Sequence, residues 1–411
     1  MQIRIHRGSS EIGGNCIEVK SGNQFILLDI GMPLTIDDIN QVKLPEIHGL
    51  KKYDNPDFLG IVISHPHQDH YGLLSKVDSN IPVYIGKHAH ALIEAANCFL
   101  PVKYEINNPN YYEHQKSFQI GPFTLTPYLM DHSAFDAYGF KVSTGDKTIF
   151  YTGDFRGHGR KNKLFDQLVD NPPENIDALL MEGTNIGQRG EKVTKSETEL
   201  EDDIVDVLSK TKGIALCWFS GQNIDRFVTF YRAAKKANRT FIIDLYTAHV
   251  IQSLGLSTLP NPSDSDLRVY LPKNLKRHII KTQQFDIVKP YYDCRIYMDE
   301  ILNNPDKYLM TFRPSMTKDF DPLFEKNSSS LIYSMWEGYL KESNIPDWCQ
   351  KHNINIFNIH TSGHSTISDM KRLASSLKPK NLLPIHTTKK HDFIDNFENV
   401  RVCEDMNWID I

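Results

Sequence analysis

The sequence predicts an α/β protein built as one domain interrupted by a second. Three observations carry this. Short apolar runs in the first half end repeatedly in a histidine or an acid, a central stretch alternates strands with amphipathic helices, and after about residue 353 the first style returns. The expected boundaries are 1–195 with 353–411 for the interrupted domain and 196–352 for the insertion.

Taken in order, "QIRIHR", "NCIEVKS" and "QFILLDIG" are strand-like runs separated by Gly, Ser and Asn turns, which predicts an antiparallel meander. "FLGIVISH" is a buried strand running into a histidine-rich loop, and "HAHALIEAANCFL" has helical spacing. "FTLTPYLMDHS" and "YGFKVSTGDKTIFYTGDF" give three strands, with Gly145-Asp146 at a hairpin turn. "IDALLMEGTN" is a strand ending in an acid. The insertion opens on "SETELEDDIVDVLSK", an amphipathic helix with acids in its first half. "GIALCWFS", a helix over about 222–237 and "RTFIIDL" continue it, and the alternation predicts a parallel sheet. After it, "INIFNIHTSGHS" reads as a strand entering a polar loop, "ISDMKRLASSLKPK" as a helix and "NLLPIH" as a strand of the first domain.

With 411 residues the chain exceeds what one core usually holds, which agrees with two domains. Its apolar fraction of 40% and charged fraction of 24% are those of an ordinary globular protein. A net charge of −5 excludes a global basic field, so any nucleic acid must be attracted by local patches. Six scattered cysteines without a C-x-x-C pair read as buried thiols of a reducing compartment. No signal peptide or membrane span is legible, and the cytoplasm is the expected location.

"SHPHQDH" places His65, His67, Asp69 and His70 within six positions after an apolar strand. Imidazole and carboxylate are ligands that divalent first-row metals prefer. A polar surface turn is the plain alternative. Four donors on one loop exceed the share of a single tetrahedral ion, which suggests two ions, His65 and His67 on one, Asp69 and His70 on the other. His132, Asp154 and His386 each close an apolar strand in the same manner, although a lone strand-terminal His is more often structural and Asp154 also suits a cap. Asp29 ends "ILLDIG" and reads as a carboxylate that orients ligand histidines.

"SHPHQDH" resembles the H-x-H-x-D-H signature of the metallo-β-lactamase fold, and the order Asp29, His65–His70, His132, Asp154, His386 is similar to that superfamily's motif series. The α/β insertion before the last histidine resembles the β-CASP domain of its nucleic-acid branch. Glu182 in "LLMEGTN", His364 in "TSGHST" and His386 in "LLPIHTT" match the extra motifs of that branch. Within it the chain looks most like bacterial ribonuclease J, through "EIGGNCIEV", "DHSAFDAYGF", "YTGDFR" and "TSGHST…LKPKNLLPIH". The resemblance implies an αββα sandwich with an inserted α/β domain. It departs at Thr387-Thr388, where the family has Gly-Glu, and the chain ends soon after His386, without the family's C-terminal domain. Where ribonuclease J holds a 5′-phosphate with Gly-Arg-Ser-Met, "IIDLYTAHV" offers Asp244 and Tyr246, which argues against 5′-end sensing.

The resemblance implies a two-metal hydrolase. His65, His67 and His132 hold one ion, Asp69, His70 and His386 the other, and Asp154 bridges them. Zinc is the expected metal and manganese the alternative. Asp69, Glu182 and His364 take catalytic roles, with Glu182 orienting His364 as proton donor to the leaving 3′-oxygen, although "TSGHST" also suits a helix-capping turn. The expected products of RNA cleavage carry 5′-phosphate and 3′-hydroxyl ends. Ser220, Asn223 and Arg226 in "FSGQNIDR", with Ser362 and Gly363, are the expected substrate contacts. Arg156, Arg160, Lys161, Lys163, Lys371, Arg372, Lys378, Lys380, Lys389 and Lys390 would form a basic funnel near the ligand loops. The expected partner is single-stranded RNA, with a homodimer left open. Single-stranded DNA or a small ester or lactam is the alternative substrate for the same metals, and a non-catalytic nucleic-acid-binding scaffold is the third reading.

Overall fold

A computed structural model describes residues 1–36, 38–187, 194–262, 264–320 and 328–411. The chain divides into two compact units, Met1–Val193 with Gly363–Ile411, and Thr194–Ser362.

The first unit opens with β1 (Gln2–Arg7), β2 (Cys16–Ser21), β3 (Gln24–Leu28), β4 (Phe58–Val62), β5 (Val83–Gly86) and β6 (Asn110–Tyr112). It continues with β7 (Phe118–Ile120), β8 (Phe123–Leu129), β9 (Tyr138–Thr144), β10 (Lys147–Tyr151) and β11 (Ala178–Glu182). The second unit supplies β12 (Ala215–Trp218), β13 (Thr240–Asp244), β14 (Leu267–Tyr270), β15 (Tyr308–Thr311), β16 (Ser330–Tyr333) and β17 (Asn355–Asn358). The chain then returns to the first unit with β18 (Asn381–Ile385) and β19 (Trp408–Asp410).

Two mixed sheets form the first unit, in the orders β19-β1-β2-β3-β4-β5-β6 and β18-β11-β10-β9-β8-β7. Side-chain alternation explains how they stack. Ile3, Ile5, Ile17, Val19, Ile26 and Leu28 of one sheet share a core with Phe123, Leu125, Phe140, Val142, Leu180 and Leu383 of the other. Residues of opposite parity face outward but are also buried. Leu27, Ile61 and Ile85 pack with Ala89 and Ile93, which belong to a helix. Leu179, Met181 and Leu382 pack with Phe165, Leu168, Met370 and Leu373, again on helices. Covering both faces of each sheet makes the strands read as unbroken apolar runs and gives the αββα sandwich. The helices are α1 (Gln68–Tyr71), α2 (Lys87–Asn97) and α3 (Asn162–Asp170), with a later one at Ile367–Leu377. The hairpin between β9 and β10 pairs Thr144 with Lys147, a two-residue turn in which Gly145 takes φ +57°.

The second unit carries a parallel sheet in the order β14-β13-β15-β12-β16-β17. Its helices begin with α4 (Glu197–Lys210), α5 (Ile224–Lys236), α6 (Leu245–Ser253) and α7 (Lys273–Thr282). Ser196 caps α4 through a reciprocal capping box with Glu199, and Asn223 caps α5. The expected boundary at 353 is corrected here. "INIFN" is not the return to the first domain, because Asn355–Asn358 pair in parallel with Ser330–Tyr333 and end the second unit's sheet. The strand is a largely exposed edge, so its residues carry no periodic signal of the sheet that they join.

Candidate metal centre

The sandwich brings the chemistry to one end of its sheets. β3 and β4 are parallel, as are β10, β11 and β18, and β8 runs in the same direction because β9 is antiparallel to both β8 and β10. Asp29 follows β3, the loop 63–67 and the start of α1 follow β4, His132 follows β8, Asp154 follows β10 and His386 follows β18, while Glu182 is the last residue of β11. All of these lie in the first unit.

Two sets of donors result. The ligating atoms of His65, His67 and His132 lie within 4.8 Å of one another, and so do those of Asp69, His70, Asp154 and His386. A third set of the same compactness is His132, Asp154 and His364. Asp154 stands between the first two, with Oδ2 3.6 Å from His65 Nε2, 3.2 Å from His70 Nε2 and 4.0 Å from His132 Nε2. His386 Nε2 is 3.5 Å from Asp69 Oδ2.

Hydrogen bonds fix the tautomers of four imidazoles. His70 Nδ1 donates to Asp29 Oδ2 at 2.7 Å, His132 Nδ1 to the Gly363 carbonyl at 2.6 Å and His386 Nδ1 to Asp154 Oδ1 at 2.7 Å. Ser64 Oγ donates to Asp29 Oδ2 at 2.7 Å, so it accepts from His65 Nδ1 at 3.0 Å. Each ring is thereby anchored through Nδ1 and aims Nε2 inward, the arrangement that orients metal-binding histidines. His67 differs, with its Nδ1 3.2 Å from His132 Nε2.

This donor set fits divalent cations. The Nε2 atoms of His65, His70 and His386 and Oδ2 of Asp154 are buried without a hydrogen-bond partner among the described residues. Buried polar atoms are otherwise nearly always paired, and four orphans converging on one space call for a cation. The electrostatics agree at the first set of donors. Burial, reinforced by neighbouring imidazoles, holds His65 and His132 well below the usual histidine range, and burial lowers His67, so all three present neutral lone pairs. Burial also presses on His70, but the Asp154, Asp29 and Asp69 carboxylates outweigh it and raise that imidazole well above its usual range. Burial would raise Asp154, yet His386, His70 and His364 hold it well below the usual carboxylate value.

His364 lies beside the donors. Its Nδ1 is 3.2 Å from Glu182 Oε1, 3.2 Å from Thr184 Oγ1 and 3.7 Å from Asp154 Oδ2. Burial opposes its charge, but Glu182 and Asp154 overcome this and lift its pKa to about 9. Glu182 is fully buried and also accepts from the backbone N–H groups of Phe155 and Ser365 through Oε1 and of Thr184 through Oε2. Asn185 Nδ2 donates to the carbonyls of His364 and Ser365, pinning the turn. Thr366 caps the following helix by accepting from Asp369 N, so the turn caps a helix and also presents a histidine.

The expected substrate contacts differ in exposure and in their partners. Arg226 is fully buried inside the second unit and does not face solvent, contrary to the expectation. Its Nε and Nη2 donate to Glu197 at 3.1 Å, and Nη1 reaches Ser334. Asn223 Oδ1 accepts from Arg226 N as the helix cap, whereas Ser220 is exposed. Ser362 is half-buried at the end of the second unit. Gly363 serves His132 through its carbonyl, and an added Cβ would lie 2.4 Å from Ser133 Oγ, which explains the glycine. Asp244 caps α6 and accepts from Arg313 Nε at 2.7 Å, so this acid has a structural occupation. The expected basic funnel is also reduced. Arg156 is buried against Asp131, Arg372 pairs with Asp166 and Asp369, Lys380 with Asp177, and Lys390 with Glu404.

The residues that sequence reasoning missed are supports. Ser64 bridges Asp29 and His65, Tyr151 Oη donates to Asp29 Oδ2 at 2.5 Å, and Thr184 and Asn185 hold the His364 turn. Ser64 directly precedes the histidine motif and Tyr151 lies three residues before Asp154, but neither follows a spacing rule that marks such a role.

Residues 10–178 match the metallo-beta-lactamase superfamily, and residues 351–392 match the Zn-dependent metallo-hydrolase RNA specificity domain. Ribonuclease J of Sinorhizobium meliloti is 23% identical over 390 residues, covering 90% of this chain and 64% of that protein. Ribonuclease J 1 of Streptococcus pyogenes is 24% identical over 395 residues, with 92% and 67% covered. Ribonuclease J of Helicobacter pylori (strain B128) is 23% identical over 408 residues, with 93% and 55% covered. The chain thus spans roughly half to two thirds of the length of these relatives. A solved structure of a protein of unknown function from Enterococcus faecalis V583 shares the fold, with a TM-score of 0.80, 21% identity and 99% of each chain covered. Among the described residues no helix is long and apolar enough to cross a membrane.

Proposed function

We propose that this chain, which carries a metallo-β-lactamase domain and resembles ribonuclease J over most of its length, is a metal-dependent phosphodiesterase acting on single-stranded RNA. The observation that carries the reading is the convergence of seven donors, His65, His67, Asp69, His70, His132, Asp154 and His386, with His364 and Glu182 at their side. The match of 351–392 to an RNA specificity domain, the segment that contains His364 and His386, supports RNA over other esters.

His65, His67 and His132 would hold one ion and Asp69, His70 and His386 a second, with Asp154 shared. Imidazole-rich donors favour zinc, and the carboxylates leave manganese as the competitor. Divalent ions bound there lower the pKa of water and neutralise charge on phosphoryl oxygens. Such a site would need its imidazoles neutral, with Nε2 of His70 as a donor. Asp29 and Ser64 keep His70 and His65 turned inward throughout. His364, whose Nδ1 faces Glu182 and Thr184, would pass a proton to the leaving 3′-oxygen. The buried Glu182 carboxylate stabilises the charged imidazolium between turnovers. The products would carry 5′-phosphate and 3′-hydroxyl ends.

The test is to incubate metal-loaded protein with end-labelled RNA and DNA of one sequence, bearing 5′-hydroxyl, monophosphate or triphosphate ends, and to map the fragments. RNA fragments with 5′-phosphates, suppressed by a chelator, are expected. Intact RNA alongside a hydrolysed small diester would contradict the proposal.

A further inference from the structure

The second unit carries a positive surface that the metal centre does not use. β14 is an edge strand of the parallel sheet, and the chain leaves it into α7 and rejoins it where Arg295 bridges Val269. From Lys273 to Tyr297 this excursion holds six lysines and arginines against two aspartates, in a chain whose net charge is −5.

The helix sets its cations on one side. Lys273, Lys276, Arg277, Ile280 and Lys281 recur at the spacing of a single helical face, and all are exposed. Ile279, on the other side, is 3% exposed and anchors the helix. Lys273, Lys276, Arg277 and Lys281 form no ion pair among the described residues, whereas several cations expected near the metal ligands are neutralised by acids. Ile280 stands 56% exposed among them.

Aromatic rings follow on the same excursion. Phe285, Tyr292 and Tyr297 are 48%, 60% and 60% exposed. The Arg295 guanidinium lies 5.8 Å from the Tyr292 ring centroid and 5.1 Å from that of Tyr297, so it is bracketed by two open rings. Lys289 pairs with Asp286, but cations on α7 that form no ion pair among the described residues, beside flat rings that find no core, suit a partner with phosphates and bases. A charge-only partner would not use the rings, and an apolar partner would bury the lysines unpaired.

We infer that the excursion Lys273–Tyr297 is a docking surface for single-stranded RNA, with α7 tracking phosphates and the Tyr292–Arg295–Tyr297 bracket stacking bases. The inference rests on the RNA reading above and adds a second contact region for that substrate.

The experiment measures anisotropy of labelled oligouridylate on the full chain in chelator, so that binding is read without cleavage. Tyr292→Ala with Tyr297→Ala should weaken binding about tenfold. Lys276→Gln, Arg277→Gln and Lys281→Gln together should reduce the slope of log affinity against log salt by about 2, at ~0.7 per charge. Trp336→Ala with Tyr339→Ala, an exposed ring pair elsewhere on the unit, should bind as the parent does. Circular dichroism melts check that each variant folds, which these exposed positions permit. Unchanged binding in the first two variants overturns the inference, as does an equal loss in the Trp336/Tyr339 control. Equal loss of polyglutamate and oligouridylate in the tyrosine variant also overturns it, because stacking would then play no part. A parent that binds oligouridylate through these residues yet cleaves no RNA would contradict the proposed activity and support this surface.

Discussion

Asp29 holds its backbone at φ +61°, in the left-handed region that only Gly, Asn and Asp visit readily, and His386 at the far end of the site stands at φ +52°. Such positions persist where surrounding contacts fix them, and Asp29 is fixed by Ser64, His70 and Tyr151. Asp29→Asn keeps the shape and the tolerated backbone but removes the charge that turns His70 inward. It should weaken metal affinity about 10–100-fold, read by chelator competition, with the circular dichroism spectrum unchanged. Parent-like affinity would show that Asp29 does not orient the ligands. His364→Asn should leave the bound metal unchanged and lower kcat about 10²–10⁴-fold on RNA, the range expected for losing a general acid. Loss of metal in that variant would instead make His364 a ligand, as its place in the third donor set allows. At this scale the cluster was legible because its residues sit at or a few positions beyond the ends of apolar strands, with Asp69 and His70 on the short helix α1 that follows β4. The supports were not, because Thr184, Asn185 and Ser64 act through single hydrogen bonds that leave no periodic trace.

Among the elements, an inner strand of the first sheet carries a buried acid whose charge is testable. Glu18 on β2 is 3% exposed and accepts from Arg4 and His6 of β1. Burial alone would raise its carboxyl, but those two hydrogen bonds outweigh it and hold the pKa below the usual value. A depressed folded-state pKa means the carboxylate stabilises the fold fully above the unfolded pKa, and that contribution drains away as pH falls toward the folded value. The stability gap between the parent and Glu18→Gln should therefore shrink between about pH 6 and about pH 3 in urea melts. A gap independent of pH would assign Glu18 a packing role only. In the second unit, Arg226→Ala would strand Glu197 without its cation and should cost about 3–5 kcal/mol of unfolding free energy. A raised KM with parent-like stability would restore the substrate role that "FSGQNIDR" suggested. That segment misled because an arginine at a strand-to-helix junction has the same spacing whether it points out or in. The deciding partner, Glu197, lies 29 residues away. Strand β17 misled for a related reason, since an exposed edge strand carries no sign of which sheet it will join.

Across the whole molecule, the order of strands explains why donors scattered from His65 to His386 meet. Parallel neighbours place their carboxyl ends together, and each strand ends in a side chain that the core cannot absorb. The interruption of one domain by an inserted parallel sheet was readable as a change of rhythm in the sequence and the αββα sandwich only through the resemblance, while the pairing of cations with acids on the surface was not, because it depends on contacts between distant segments. The central claim is that these donors bind divalent ions on which RNA hydrolysis depends. The most direct test strips the full chain with a chelator, returns zinc or manganese stepwise, and follows bound metal and cleavage of a labelled single-stranded RNA together. Cleavage should rise with metal to a plateau at the second equivalent and be absent, with occupancy lost, in His65→Ala/His67→Ala. Cleavage that ignores the added metal, or a double variant that binds and cleaves as the parent does, would contradict the account.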